Sequence, residues 1–186
     1  MVISVRPVSE VPWADVRVVF GTRGDPATCW CQFFKVTSRE FDEAPRERWE
    51  RALCEQVPTV PGLVAYLDDE PVGWCGVEPR TRYPRILTSK VAGGSAEPLD
   101  DEGVWAVSCF VVRVGFRRRG VAGALLTAAV EHARASGARV IEGYPIDTAE
   151  KKASAAELYH GSLGLFEKAG FRVVARPMPG RAVVAL

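Results

Sequence analysis

Val2 to Arg6 alternates apolar and polar positions, the pattern of a half-buried strand. Ser9 to Phe20 is weakly helical. "GTRGDPATCWCQFFK" is punctuated by Gly and Pro and then turns aromatic, which reads as a loop returning large side chains to the body of the protein. From Asp42 to Gln56 the period becomes helical. Trp49, Leu53 and Val57 recur at i, i+4, i+8, with Asp42 as a cap and Pro45 in the first turn. "GLVAYLDDEPVGWCGV" predicts a hairpin, Val64–Leu67 and Val72–Val77 around "DDEP". "TRYPRILTSK" holds a helical turn, and the small, acidic, Pro- and Gly-bearing stretch from about 90 to 102 reads as an exposed loop open to motion.

The most regular region follows. Val104 to Val112, "VWAVSCFVV", is almost continuously apolar and β-branched, a strand covered on both faces. Gly120 to Ala135 carries a helical apolar stripe of Val121, Leu125, Leu126, Val130 and Ala133, with Gly137 as its C-terminal stop. Ala138 to Tyr144 is a second buried strand, so Val104–Tyr144 has the spacing of a parallel β–α–β crossover. "TAEKKASAAELYHG" is a polar, partly helical connection. Ser162 to Ala169 predicts a short helix stopped by Gly170, and "FRVVAR" and "RAVVAL" close the chain as a hairpin. With no repeat or linker, residues 1–186 read as one domain.

Composition narrows the function. Hydrophobic residues make up 47% and charged residues 25%, and the net charge is +1. Nothing global therefore points to nucleic acid or an anionic membrane, and an anion site has to be local. No stretch approaches the ~20 apolar residues of a membrane span, and the alternating start is not a leader, so the expected location is cytoplasmic. The five cysteines, Cys29, Cys31, Cys54, Cys75 and Cys109, are scattered and read as reduced thiols. "CWC" could form half a metal site, but no second pair with zinc spacing follows and the histidines are His132 and His160, so no metal is expected.

That local anion site is "GFRRRGVAGALL". It joins a strand end to a helix start, where the first backbone N–H groups lack intrahelical partners and the helix dipole is positive. Gly120, Ala122 and Gly123 let a ligand approach the backbone, and Arg117, Arg118 and Arg119 add charge, which together suits a pyrophosphate. The glycines, Gly115, Gly120 and Gly123, do not fit G-x-G-x-x-G, and the G-K-[ST] of a triphosphatase loop is absent.

"VVRVGFRRRGVAGALL" resembles the acetyl-CoA loop of the GNAT N-acetyltransferase superfamily, [R/Q]-x-x-G-x-[G/A], here Arg117, Gly120 and Ala122. The resemblance runs over roughly residues 60–177. It takes in the hairpin "GLVAYLDDEPVGWCGV", the strand "ARVIEGY" and the helix "LFEKAGFRVVAR". It implies an α/β fold with a mixed, mostly antiparallel sheet, splayed at a central parallel strand pair and flanked by helices. It also implies acetyl-CoA as co-substrate and an amine acceptor, a small molecule or a peptide, acetylated by direct attack in a ternary complex. Main-chain groups of Phe110, Val111 and Val112 would face the pantetheine. Arg117, Arg118, Arg119, Gly120, Val121, Ala122 and Gly123 would hold the phosphates.

The family's general acid is a Tyr in "Y-E-K-x-G-F". Here that place, beside the cofactor, holds Phe166, and Tyr159 replaces an asparagine seven residues earlier. Either Tyr159 supplies the proton, or the thiolate leaves to water. Glu142, a carboxylate in a buried strand, is the base candidate, paired or functional. His160 and Tyr144 are weaker candidates, and Cys109 reads as core. Trp30, Phe33, Phe34, Trp74 and Tyr83, with Lys90–Glu102, would wall an acceptor pocket, in which Asp100, Asp101 and Glu102 would favour a cationic amine. The alternative to an enzyme is a CoA-binding sensor or interaction module. A homodimer stays open.

Overall fold

The computed structural model describes residues 2–150, 152–154 and 157–186. Seven strands among them form one sheet: β1 (Ile3–Pro7), β2 (Gly62–Leu67), β3 (Glu70–Pro79), β4 (Val104–Val112), β5 (Val140–Gly143), β6 (Arg172–Met178) and β7 (Arg181–Ala185), in the order β1-β2-β3-β4-β5-β7-β6. All neighbours are antiparallel except β4 and β5. The helices are α1 (Trp13–Phe20), α2 (Gly24–Cys29), α3 (Ser38–Glu43), α4 (Arg46–Gln56), α5 (Pro84–Leu87), α6 (Val121–Ala135) and α7 (Leu163–Lys168). None is long and apolar enough to cross a membrane.

Strand alternation sends side chains to two faces. On one, Leu63, Val77, Trp105, Val107 and Phe110 pack with Leu125, Leu126, Ala129 and Ala133 of α6 and Phe166 of α7. On the other, Val64, Trp74, Cys109 and Val111 pack with Val16, Val19 and Phe20 of α1 and with Trp49 and Leu53 of α4. A third cluster, with Tyr83, Ile86, Ala106, Tyr144 and Val183, continues this second face. The mixed sheet, the parallel crossover and the closing hairpin follow the pattern read from the sequence.

Local boundaries differ. The helix expected over Asp42–Gln56 is two helices. Ala44 is extended before Pro45, so α3 ends there, and Pro45 rather than Asp42 caps α4. The start of α3 is a capping box: the Thr37 hydroxyl accepts from the Glu40 N–H, and the Glu40 carboxylate accepts from the Thr37 N–H. The loop expected before "CWC" contains α2, whose end carries Trp30 and Cys31 at positive φ. The loop expected to be open to motion from about 90 to 102 is tied to the body. Arg80 donates to Ser95 Oγ and to the carbonyls of Glu97 and Pro98, and Arg139 pairs with Glu97 and Asp101. The polar connection from Thr148 to Gly161 includes Lys151, Ala155 and Ala156, which lie outside the described residues; Glu157–His160 within it is a 3-10 turn.

Candidate active site

The parallel pairing of β4 with β5 stops early. Val104–Val107 pair with Val140–Gly143, and β4 then runs on through Val112 bound to β3 alone. The register explains the divergence. Gly76 faces Cys109 and Val77 faces Val107, so Ser108 is an extra residue in β4. A bulge of this kind bends its strand, and this one sits where the partner strand is lost. Phe110, Val111 and Val112 thus lie on a strand whose second edge has no strand partner among the described residues.

Phe166 fills the apex of this gap from the α7 side. Its ring is fully buried, edge-on to Phe110 at 6.1 Å and to Phe171 at 5.1 Å. A Cβ on Gly143 would come within 2.3 Å of the ring, so glycine at the end of β5 is what admits it.

Beyond Val112 the chain turns through Arg113–Gly120 into α6. Gly120 is the N-cap at φ 85, a conformation costly for other residues, and Arg118 is also left-handed at φ 60. No side chain caps the helix, and the first helical bond runs from the Ala124 N–H to the Gly120 carbonyl. The amides of Val121, Ala122 and Gly123 are therefore open to a ligand. Arg117 donates to the Val112 carbonyl at 3.3 Å, and Arg119 lies over Phe116. Among the described residues none of Arg117, Arg118 and Arg119 has an ion-pair partner, whereas Arg113 is spent on Glu70 and the Pro71 carbonyl. Open amides beside unpaired guanidinium groups suit a pyrophosphate.

The second face of the gap carries Tyr159 and His160, whose rings lie 4.2 Å apart, with Phe34 5.3 Å from His160 and 6.2 Å from Tyr159. Tyr159 is half-buried, packs on the cluster that includes Cys109, and makes no hydrogen bond through its hydroxyl among the described residues. Burial raises its pKa, opposed by the nearby charge of Arg181, so the phenol stays protonated at neutral pH. His160 is buried, and its Nδ1 has no partner. Burial, reinforced by Arg181, lowers its pKa to about 3. In the unfolded chain it titrates near 6.5, so between these values only the unfolded state takes the proton, and stability falls as the pH falls. Urea denaturation at pH 6.5 and pH 5 is expected to show His160 costing about 2 kcal/mol over that interval. His160→Gln is expected to flatten that part of the pH slope; an unchanged slope would mean His160 takes its proton when folded.

Glu142, the base candidate, occupies a different position from a free base. It is 1% exposed and accepts from Arg80 Nη1 at 2.8 Å, from the Tyr144 hydroxyl at 2.9 Å and from the Ser95 hydroxyl. Its lone pairs point at donors, not into the gap, and Tyr144 is spent on the same carboxylate. The expected aromatic pocket is also corrected. Trp74 and Trp30 are core residues around Phe20, at 5.4 and 4.7 Å, because α1 and α2 need bulk to seat on the sheet. Tyr83 is fully buried, and Phe33 is covered by Arg85 at 3.9 Å; of the set, Phe34 stays beside Tyr159 and His160. Asp101 is engaged by Arg139, and Glu102 accepts from Thr81, so these two are not held free for a cationic amine. Cys31 and Cys109 are buried free thiols, and Cys31 accepts from Trp74 Nε1 at 3.3 Å. Among the described residues no group of three His, Cys, Asp or Glu side chains could hold a metal.

Sequence reasoning missed Arg80 and Ser108. The bulge left one trace, a single serine inside an apolar run. Arg80 left none, since its partners come from residues 95 to 98 and from β5.

Comparison with known proteins places the fold. A family model described as the acetyltransferase (GNAT) family matches residues 29–171. No curated protein matches the chain. Among solved structures, an N-acetyltransferase from Staphylococcus aureus Mu50 is similar at 12% identity and TM-score 0.58, over 100% of this chain and 98% of that one. The yncA structure from Salmonella typhimurium, a putative acetyltransferase with its cofactor acetyl-CoA, is similar at 14% identity and TM-score 0.57, over 99% and 92%. The paia N-acetyltransferase from Thermoplasma acidophilum, in complex with coenzyme A, is similar at 10% identity and TM-score 0.53, over 100% and 98%.

Proposed function

The chain belongs to the GNAT acetyltransferase family, and from that premise we propose that it transfers an acetyl group from acetyl-CoA directly to an amine held on the second face of the β4–β5 gap. The observation that carries the reading is the gap itself, with an open helix start and unpaired arginines at one end and Tyr159 on its wall. The amides of Val121, Ala122 and Gly123, with Arg117, Arg118 and Arg119, bind the pyrophosphate. Main-chain groups from Phe110 to Val112 align the pantetheine, and Phe166 backs it without offering a proton. A backbone N–H near Val112 polarises the thioester carbonyl as the amine attacks.

Tyr159 protonates the departing thiolate and recovers its proton, directly or through water, from the nitrogen that becomes the amide. Its phenol is protonated, unpartnered and aimed at no other task in the protein. Glu142 holds Arg80 and the 95–98 loop, and His160 is too weak a base, so the amine loses its proton to water before attack.

Thiol release from acetyl-CoA across a panel of amines tests the reading. Turnover with any amine is the expected result, and tight CoA binding with no turnover would instead make this a binding module. With an accepted amine, Tyr159→Phe is expected to lower kcat roughly tenfold or more with little change in KM. An unchanged kcat would remove Tyr159 from the mechanism and leave the proton to water.

A further inference from the structure

Arg181 opens β7 at the mouth of the gap. The register pairs Val184 with Gly143, the last residue of β5, and Arg181 bridges Ile146 beyond it; Ile146 in turn bridges Ser162. By strand alternation Arg181 shares the face of Val183, the face of Tyr83, Tyr144 and Phe34. It is half-buried, donates through Nη2 to the Tyr144 carbonyl at 3.0 Å, and has a buried Nε with no acceptor.

Its charge is uncompensated. The carboxylates on neighbouring segments are spent on other arginines: Asp147 pairs with Arg176 at 2.8 Å, Glu150 pairs with Arg176 and accepts from the Gly180 N–H, and Glu142 pairs with Arg80. Among the described residues Arg181 has no ion pair. A half-desolvated guanidinium without a counter-charge is costly to keep. Tyr159 and His160 are close enough for its charge to act on both.

We propose that Arg181 binds a carboxylate on the acceptor, so that the substrate is an amine of amino-acid type. The proposal rests on the acetyltransfer reading and names the substrate class for it. The part of the fork that the Tyr144 carbonyl does not take, Nη1 above all, offers its N–H groups to a carboxylate. A phosphate would call for the denser charge found at Arg117–Arg119. A purely cationic amine would meet repulsion here.

The test is titration of CoA-saturated protein with matched pairs, L-amino acids and their carboxamides, followed by kcat/KM for the same pairs. The wild type is expected to prefer at least one acid over its amide by tenfold or more. Arg181→Met is expected to erase that preference while acetyl-CoA affinity stays within about twofold, and Arg181→Lys to restore part of it. Binding of no acid, or equal binding of acids and amides by the wild type, would overturn the proposal whether or not the variant folds. Turnover with amines that lack a carboxylate and none with amino acids would overturn it while leaving the acetyltransfer reading intact. Acid binding without thiol release would fail the acetyltransfer reading and keep the carboxylate site.

Discussion

Titrating acetyl-CoA into the Gly120→Glu protein is expected to give a loss of affinity of at least a hundredfold against the wild type. Two effects add. Gly120 caps α6 at φ 85, so any side chain there strains the turn that aims the amides of Val121 to Gly123. The new carboxylate would also stand where the pyrophosphate is proposed to bind, and Arg117 to Arg119, which have no ion-pair partners among the described residues, would close on it instead. The fold should survive. The nearest atom to a Cβ at this position is Ile3 Cδ1 at 3.7 Å, and an acidic residue at a helix N-terminus is itself favourable. Gly120→Ala separates the effects: strain alone is expected to cost only a few-fold in affinity. Wild-type affinity in Gly120→Glu would move the cofactor away from α6.

The strand, basic loop and helix start of the proposed cofactor end were legible in the sequence because they are local. A strand, a basic Gly-bearing loop and a helix start follow one another within Val104–Ala135, and backbone amides at a helix start need no distant partner. The β–α–β crossover was legible for the same reason. The proposed acceptor end is assembled from distant segments: Phe34 after α2, Tyr159 and His160 before α7, and Arg181 at the start of β7. No local period encodes that meeting. The aromatic stretch around Trp30 was open to two readings, since stacking rings serve a core as well as a pocket. Here the core took Trp30 and Trp74 and left Phe34. Pro45 misled in the opposite way: it fits both the first turn of one long helix and the break between two, and extended Ala44 settles it as the break.

Glu142 presents the sharpest contrast between a catalytic and an architectural carboxylate, and stability tells them apart. Glu142→Ala is expected to cost about 3–5 kcal/mol, because it leaves Arg80, 0% exposed, as an uncompensated buried charge. For a chain of this length that is a fall in Tm of roughly 6–20 °C. The loss should reach beyond the pair, since Arg80 and Ser95 together hold the 95–98 loop on the end of β5. Replacing both partners with apolar residues, Arg80→Met with Glu142→Leu, is expected to recover much of the stability, because it removes the stranded charge along with the pair. Glu142→Gln decides the chemistry. It keeps an acceptor for Arg80 and cannot take a proton, so a catalytic base would show near-native stability and a collapsed kcat. The network seen around Glu142 predicts the reverse: a lower melting temperature, with acetyl transfer per folded molecule close to wild type when both are measured below the transition.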